Sequence, residues 1–472
     1  MKRSPELIPV AELALPEIAE IDLYQKRERI YTRHIKGFYQ RLRLFTGWPI
    51  LVIYTLLPWL SWDDKPVILF DLPARQFHIL SLTFWPQDFP MLAWLLIIAA
   101  FVLFAVTNFL GRVWCGYTCP QTVWTSLFMW SEQMTEGKRN QRFKLDEGSW
   151  NTNKVVRKTA KHSLWVGISV ITGITFIGFF SPIEDLVIDL FTGQASSWEY
   201  AWSLFFTCAT YINAGWMREQ ICTIVCPYAK FQSAMFDQNT LIISYDKERG
   251  EERGSRRKDA AKEDHGLGDC IDCMLCVQVC PTGIDIRDGL QLECIGCALC
   301  VDACNHVMEE MDYPKHLISY TTENAMAGKE TQFLRPRLIG YSLAIVVMVS
   351  LFSYNLINRI PLRLDVERER MQLYHETSLG MVQNTYNITV MNMGQIAKDY
   401  TITVNGIEGL QYLGKEKITV APGEVFKLPA RLQADPTLLK SPSSKINFIV
   451  SSTRDSKVTQ TQESRFIGPF RP

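Results

Sequence analysis

CIDCMLCVQVCPTGIDIRDGLQLECIGCALCVDACNH, residues 270–306, holds eight of the chain's thirteen cysteines. Cys270, Cys273, Cys276 and Cys280 are spaced x2, x2, x3 and followed by Pro281, and Cys294, Cys297, Cys300 and Cys304 repeat the spacing. In the bacterial two-cluster pattern, three close thiolates hold one 4Fe-4S cubane and the fourth cysteine ligates the other. The spacing therefore assigns Cys270, Cys273, Cys276 and Cys304 to one cluster, and Cys294, Cys297, Cys300 and Cys280 to the second. Asn305 departs from the pattern by standing where proline is expected, which leaves every ligand present but changes the local turn. Paired zinc sites are the bland alternative. Zinc is usually met by two separated CxxC pairs, so a triple spacing repeated twice does not favour it.

The cysteine-rich run lies between long apolar stretches. Crossing a hydrocarbon core of about 30 Å takes about 20 mostly apolar residues. Five stretches qualify: 44–62, 90–110, 163–182, 198–217 and 338–357, of which 198–217 is weakened by Thr207, Thr210 and Asn213. Basic residues near span ends resist translocation and mark the cytoplasmic side. Lys138, Arg139, Arg142, Lys144, Lys154, Arg157, Lys158 and Lys161 crowd the loop between the second and third spans, and another basic cluster runs from Lys247 to Lys262. The loop holding Glu184, Asp185 and Asp189 is acidic by contrast. The expectation is a cytoplasmic N-terminus, a cytoplasmic cysteine-rich insert and a tail on the periplasmic side.

The tail alternates in the period of two expected of half-buried strands, at NITV (387), YTITV (400), KITV (417) and KINFIV (445), with turn signals at Asn405-Gly406 and Pro422-Gly423. These features predict an Ig-like β-sandwich. The fold class is then a multidomain α+β membrane protein. It has a cytoplasmic N-terminal segment (1–43), four spans (44–244), a linker with a ferredoxin-like domain (245–334), a fifth span (335–358) and the sandwich (359–472). No cysteine follows Cys304, a segregation unlike that of secreted disulfide scaffolds. No secretory signal peptide is visible, because the first 43 residues hold Lys2, Arg3, Lys26, Arg27 and five further basic residues without an apolar core. With 49 basic and 49 acidic residues in balance, nucleic-acid binding has no support.

Two further cysteine pairs follow spans: GRVWCGYTCPQ carries Cys115 and Cys119, and REQICTIVCPY carries Cys222 and Cys226. Each pair is CxxxCP. An i, i+4 spacing shares a helix face, and Pro120 or Pro227 lets the helix break or restart there. If the two helices are neighbours, four thiols converge on Cu(I), a further cluster or a redox-active disulfide, and the sequence leaves these open. Cys208, alone within the fourth span, reads as core. The histidines form no pairs suited to haem b: His34, His265, His306 and His316 read as cytoplasmic, His162 sits at a span end, His78 in the first outer loop and His375 in the tail. The tryptophans fit interfacial belts, VWTSLFMW (123–130) reads as an interfacial helix, and 245–264 reads as a solvated linker.

Taken together, LTFWPQDFP at 82, GRVWCGYTCPQTVW at 111, GWMREQICTIVCPYAKFQSAM at 215, YDKERGE at 245 and the double cluster motif resemble the cytochrome c oxidase accessory proteins of the CcoG/FixG/RdxA type over nearly the whole chain. The resemblance implies a bacterial cytoplasmic-membrane protein that reduces Cu(II) to Cu(I) for maturation of cbb3-type oxidases. It implies copper-trafficking proteins and oxidase subunits as partners, and maps the family's CxxxCP cysteines onto Cys115, Cys119, Cys222 and Cys226 without fixing their role. The leading expectation is a one-electron cupric reductase fed by a cytoplasmic electron donor. A quinol-linked electron conduit and a non-catalytic assembly scaffold are the competing readings, and homo-oligomerisation stays open.

Overall fold

In the computed structural model of the chain, residues 29–469 are described apart from 63, 64, 81, 257, 259–265, 370, 371, 395, 440 and 455–457. Lys2, Arg3, Lys26 and Arg27 of the basic N-terminal segment, and Lys262 and His265 of the linker, lie outside the described residues. From Arg29 an arm without regular structure leads to α1 (Phe38–Leu56). This helix begins where the Asp302 carboxylate accepts hydrogen bonds from the amides of Tyr39 (3.2 Å) and Gln40 (2.8 Å). A carboxylate there satisfies orphan N–H groups at the positive end of the helix dipole. A Cβ at Gly37 would collide with that carboxylate, so the approach requires glycine.

Beyond α1 the chain forms the pair β1 (Ser61–Trp62) and β2 (Lys65–Pro66), then an antiparallel sheet of β3 (Ile68–Asp71), β4 (Gln76–Ile79) and β5 (Leu82–Phe84). It returns through α2 (Phe89–Leu110) to the short α3 (Val113–Tyr117), α4 (Pro120–Glu136) and α5 (Arg139–Glu147). Asn151 caps α6 (Thr152–Ile177) by accepting from the Lys154 amide at 2.8 Å. After α7 (Ile183–Thr192), a Ser196/Glu199 capping box opens α8 (Ser197–Thr210), and α9 (Pro227–Met235) follows. The stretch 123–130, expected as an interfacial helix, is the middle of α4. Phe128 is fully buried against Trp165 of α6, with ring centroids 5.4 Å apart.

The cysteine-rich insert runs from β6 (Ile242–Tyr245) through α10 (Lys247–Gly250), α11 (Leu275–Val279) and α12 (Leu299–Glu310) to β7 (Ile318–Thr321). β6 and β7 pair antiparallel, Ile242 opposite Thr321 and Tyr245 opposite Ile318, over a core that includes Ile243, Val301, Val307, Met308 and Leu317. α13 (Glu323–Met326) leads to α14 (Pro336–Ile357).

The last segment is strand apart from a 3-10 turn at Pro436–Leu438: β8 (Leu362–Arg368), β9 (His375–Glu376), β10 (Val382–Asn392), β11 (Lys398–Asn405), β12 (Gln411–Leu413), β13 (Lys417–Val420), β14 (Val425–Ala434), β15 (Ser443–Ser452) and β16 (Thr459–Ile467). One antiparallel sheet has the order β12-β14-β10-β8 with β9 on β10, and the other β13-β11-β15-β16. Burial alternates along β10, as a period of two dictates, and the inward residues of both sheets share one core built on Tyr386, Ile388, Tyr400, Ile402, Phe448 and Phe466.

Among the described residues, four helical stretches are long and apolar enough to cross a bilayer: Phe38–Trp59, Phe89–Leu110, Thr152–Ile177 and Pro336–Ile357. The stretch 198–217 differs from the expectation. It is α-helical only through Thr210, and Tyr211–Met217 take up π-type hydrogen bonding, so no single α-helix there reaches the necessary length. Its polar Thr207 faces α6, where a Cβ at Gly173 would come within 2.9 Å of the Ser203 carbonyl. Cys208, expected in the core, is exposed on α8.

The bundle has two opposite ends. At one, Asp302 of the insert meets the start of α1, Arg335 before α14 hydrogen-bonds the Asn108 carbonyl near the end of α2 (3.3 Å), and Arg218 pairs with Glu132 (3.1 Å). At the other, Arg359 donates to the Asp88 carboxylate (2.5 Å) and the Thr83 carbonyl (3.2 Å), and the Gln76 amide donates to the Gly423 carbonyl (3.5 Å). The insert and the paired sheets therefore sit at opposite ends of the helices.

Candidate electron-transfer site

The two cysteine runs fold into two related halves. Met274 and Ala298, at equivalent positions of the repeats, both adopt left-handed backbone conformations (φ 57° and 56°) that turn the chain into α11 and α12. Beyond that point the halves diverge for a simple reason. Pro281 follows Cys280, so α11 stops at its fourth cysteine, whereas Asn305 allows α12 to continue through Cys304 to Glu310. The Asn305 side chain also accepts a hydrogen bond from the His316 amide (2.8 Å), holding the return toward β7.

Cys270, Cys273, Cys276 and Cys304 line one cavity, together with Arg287 and Met308. Cys280, Cys294, Cys297 and Cys300 line a second, with Cys276 on their shared wall. Burial pushes the thiols of Cys276, Cys294 and Cys304 up to about 12, and raises those of Cys297 and Cys300 as well. Such thiols are protonated at neutral pH unless a metal centre draws them out as thiolates. Among the described residues, no three His, Cys, Asp or Glu side chains converge closely enough to share a single metal ion. Four soft donors spread around each cavity fit a multinuclear iron–sulfur group better than a zinc ion.

Each CxxxCP motif is a broken helix. Cys115 lies inside α3, but Cys119 is the N-cap of α4 with Pro120 as its first residue; Cys222 lies in the π-type segment Ile221–Val225, and Cys226 is the N-cap of α9 ahead of Pro227. The expected shared helix face is absent, because each break falls between the paired cysteines. The thiols are nonetheless near enough to influence one another electrostatically, although among the described residues no three of them converge on one metal-ion position. Burial pushes Cys115 up to about 12, and Cys119, Cys222 and Cys226 add to that while the Arg112 guanidinium opposes it. Burial likewise raises Cys222 to about 12. The Cys115 thiol donates to the Gln232 side-chain oxygen at 3.4 Å.

The membrane cysteines meet the insert directly. Cys115 and Cys222 pack against a buried cluster of Val279, Ile295, Cys297, Leu299 and Ala303. A Cβ at Gly116 would lie 2.9 Å from the Gly296 carbonyl and 3.0 Å from Cys297 Cα, so α3 touches the backbone that carries the second set of thiols. Arg112 fastens this contact: its guanidinium donates to the carbonyls of Leu292, Cys294 (3.2 Å) and Ala229 (2.5 Å). Gly296 takes a left-handed conformation (φ 67°), with its carbonyl accepting from the Tyr320 hydroxyl. Sequence spacing signalled none of Arg112, Gly116, Gly296 or Tyr320. Only the placement of Arg112 and Gly116 within the CxxxCP stretch hinted at them.

A buried ion network lies behind α4. Glu132 pairs with Arg29 (2.5 Å), Arg142 (2.9 Å) and Arg218 (3.1 Å), and Glu136 with Lys158 (2.9 Å) and Lys161 (3.0 Å). Burial by itself would raise Glu132, but Arg218, Arg29 and Arg142 outweigh it and hold the carboxyl at about 2.

With this geometry in hand, similarity to known proteins becomes informative. The chain is 37% identical over 422 residues to the nitrogen fixation protein FixG of Rhizobium meliloti (strain 1021), covering 82% of this chain and 80% of FixG. The chain belongs to the FixG/RdxA/RdxB family. It is also 39% identical to RdxB of Cereibacter sphaeroides, across 82% of this chain and 84% of that protein, and 37% identical to RdxA of the same organism, across 82% and 85%. Residues 217–323 match a 4Fe-4S dicluster domain, 92–142 a 4Fe-4S binding domain, and 352–469 the IG-like fold at the C-terminal of FixG. Among solved structures, a FixG-related protein from Vibrio parahaemolyticus is 38% identical, covering 23% of this chain and 98% of that one, with a TM-score of 0.22. The chain is thus a FixG-type membrane protein with iron–sulfur ferredoxin domains and an IG-like C-terminal segment.

Proposed function

We propose that this FixG-type protein is a one-electron metal reductase that converts Cu(II) to Cu(I) at the CxxxCP cysteines and supplies Cu(I) for assembly of cbb3-type cytochrome c oxidase. The observation that carries the reading is the contact of Gly116 with Gly296 and Cys297, which sets the membrane thiols against the wall of the second cysteine cavity. In this reading Cys270, Cys273, Cys276 and Cys304 hold one 4Fe-4S group and Cys280, Cys294, Cys297 and Cys300 the other. When bound, these groups supply single-electron carriers. Copper reduction takes one electron, and soft thiolates favour the Cu(I) product over Cu(II). Arg112 keeps the two sets of thiols in register. Five crossings, the fourth made by α8 continued through the π-type segment Tyr211–Met217, a cytoplasmic N-terminus and insert, and a periplasmic tail in the bacterial inner membrane complete the proposal, with copper-trafficking proteins and oxidase subunits as partners.

The test uses anaerobically purified full-length protein reduced with dithionite and freed of excess reductant. Added Cu(II) is expected to reoxidise the protein with one Cu(I) formed per electron lost. Replacing Cys115, Cys119, Cys222 and Cys226 by serine is expected to slow this at least tenfold. Protein that Cu(II) leaves reduced, or a quadruple variant that reacts at the parent rate, sinks the copper route. A second reading has its own support: the match of 92–142 to a 4Fe-4S binding domain covers Cys115 and Cys119 and favours a further cluster there. About eight irons per chain fits two cubanes, and about twelve fits three.

A further inference from the structure

The reductant's entry point is the part of the electron path that the cysteines do not define. A cavity of about 320 Å³ opens between the N-terminal arm, α1, α4 and the insert, within the usual size of a small-ligand site. Its insert wall is Val279, Pro281 and Leu299, the immediate chain neighbours of Cys280 and Cys300. Its polar rim holds His34, Gln133 and Arg142. Arg142 is buried, paired with Glu132 through one terminal nitrogen, and its Nε–H has no acceptor among the described residues. A buried donor without an acceptor is costly, and an oxygen in the cavity would relieve it.

The cavity also continues into the bilayer region. Trp48, Leu51 and Leu127 line both it and an adjoining groove of about 340 Å³ between α1, α4 and α6. The groove's other walls include Val52, Ile168 and Ile171, all on helices long and apolar enough to span. A largely apolar chamber with a polar rim, beside the cysteines of the insert and opening into an apolar lipid-side groove, has the shape of an amphipathic carrier with an oxygen-bearing head and a hydrocarbon tail.

We infer that this cavity binds a membrane quinol, its head group against Arg142 and Gln133 and its isoprenoid tail along α1, α4 and α6, and that the quinol is the electron donor. A lipid-borne donor here takes the place of the unidentified cytoplasmic donor of the leading sequence expectation and takes up the quinol of its competing reading. Oxidation of one quinol to quinone releases two electrons and two protons. The electrons leave singly, each reducing one ferric equivalent of the thiolate-held iron–sulfur groups, and the protons leave past exposed His34 to the cytoplasmic face. The electron-transfer step rests on the iron–sulfur reading above, whereas binding does not.

Titration of detergent-solubilised full-length protein with decylubiquinone, followed by tryptophan fluorescence, tests the binding, since Trp48 and Trp130 line the cavity. Saturable quenching is expected, weakened at least tenfold by Leu127→Trp, which narrows the passage between chamber and groove. Decylubiquinol added anaerobically to oxidised protein is expected to bleach the visible iron–sulfur absorption in the parent but not in Leu127→Trp, while dithionite-reduced Leu127→Trp still reduces Cu(II). Absence of saturable quenching, or quenching unchanged in Leu127→Trp, overturns the inference without touching the copper reading. Should Leu127→Trp fail to accumulate, an azido-quinone photolabel on the parent decides: label on α1 or α4 supports the site, and label confined elsewhere overturns it.

Discussion

At the residue scale, two buried positions carry consequences that no local pattern announces. The Glu132 carboxyl gathers Arg29, Arg142 and Arg218 from segments far apart in sequence. Because its folded pKa of about 2 lies below the ordinary 4.5, its contribution to stability is present above about pH 4.5 and is lost as the pH falls toward 2. Glu132→Gln strands buried guanidinium groups and is expected to cost about 3–5 kcal/mol, read as a lower urea midpoint of the solubilised protein, with exposed Glu147→Gln as a near-neutral control. Gly116 is constrained by backbone on the opposing loop, which cannot yield as a flexible side chain would. Gly116→Val is expected to cost about 1–3 kcal/mol and to shift the midpoint for loss of visible absorption. The cysteines that line the two cavities were legible because they repeat at fixed spacing. The ion network and the glycine contact were not, because long-range packing leaves no period to read.

At the scale of elements, the difference between the two cysteine repeats turns on one residue. With Pro281 after Cys280, α11 ends; with Asn305 after Cys304, α12 runs on to Glu310 and buries Val307 and Met308 in the insert core. Restoring the regular pattern with Asn305→Pro therefore harms the protein. It breaks α12 in mid-course and removes the acceptor for the His316 amide, an expected loss of about 3 kcal/mol or more. Thermal loss of the visible absorption checks this, and an unchanged midpoint would show that the continuation of α12 contributes nothing. The sequence flagged the departure at Asn305 but not its effect, since helix continuation depends on tertiary burial of Val307 and Met308. The fourth apolar stretch shows the converse. Composition counted 198–217 as one span, but its backbone changes from α to π hydrogen bonding at Tyr211, a shift that hydropathy does not encode.

At the scale of the molecule, the alternating strands of the tail were readable as two antiparallel sheets because one face of each had to be buried, whereas their docking on the β3–β5 loop was not. The attachment is local: Arg359 with Asp88, Thr83 and the Phe84 ring, and the Gly423 turn with Gln76 and Trp85, against a closed core of its own. Residues 359–472 produced alone are therefore expected to fold, showing strand-type circular dichroism and one cooperative thermal transition. The same separation tests the direction of the chain. With the insert and the sheets at opposite ends of the helices, an impermeant thiol reagent on intact cells should modify Asn405→Cys, on a tip of the sheets, and not Lys258→Cys in the linker beside the insert. Disruption of the membrane should then expose Lys258→Cys to the same reagent. Reversed labelling would turn the molecule over, carrying the thiol-lined cavities and the proposed copper chemistry to the outer face, and labelling of both sites in intact cells would mean that α14, the candidate span between them, does not cross.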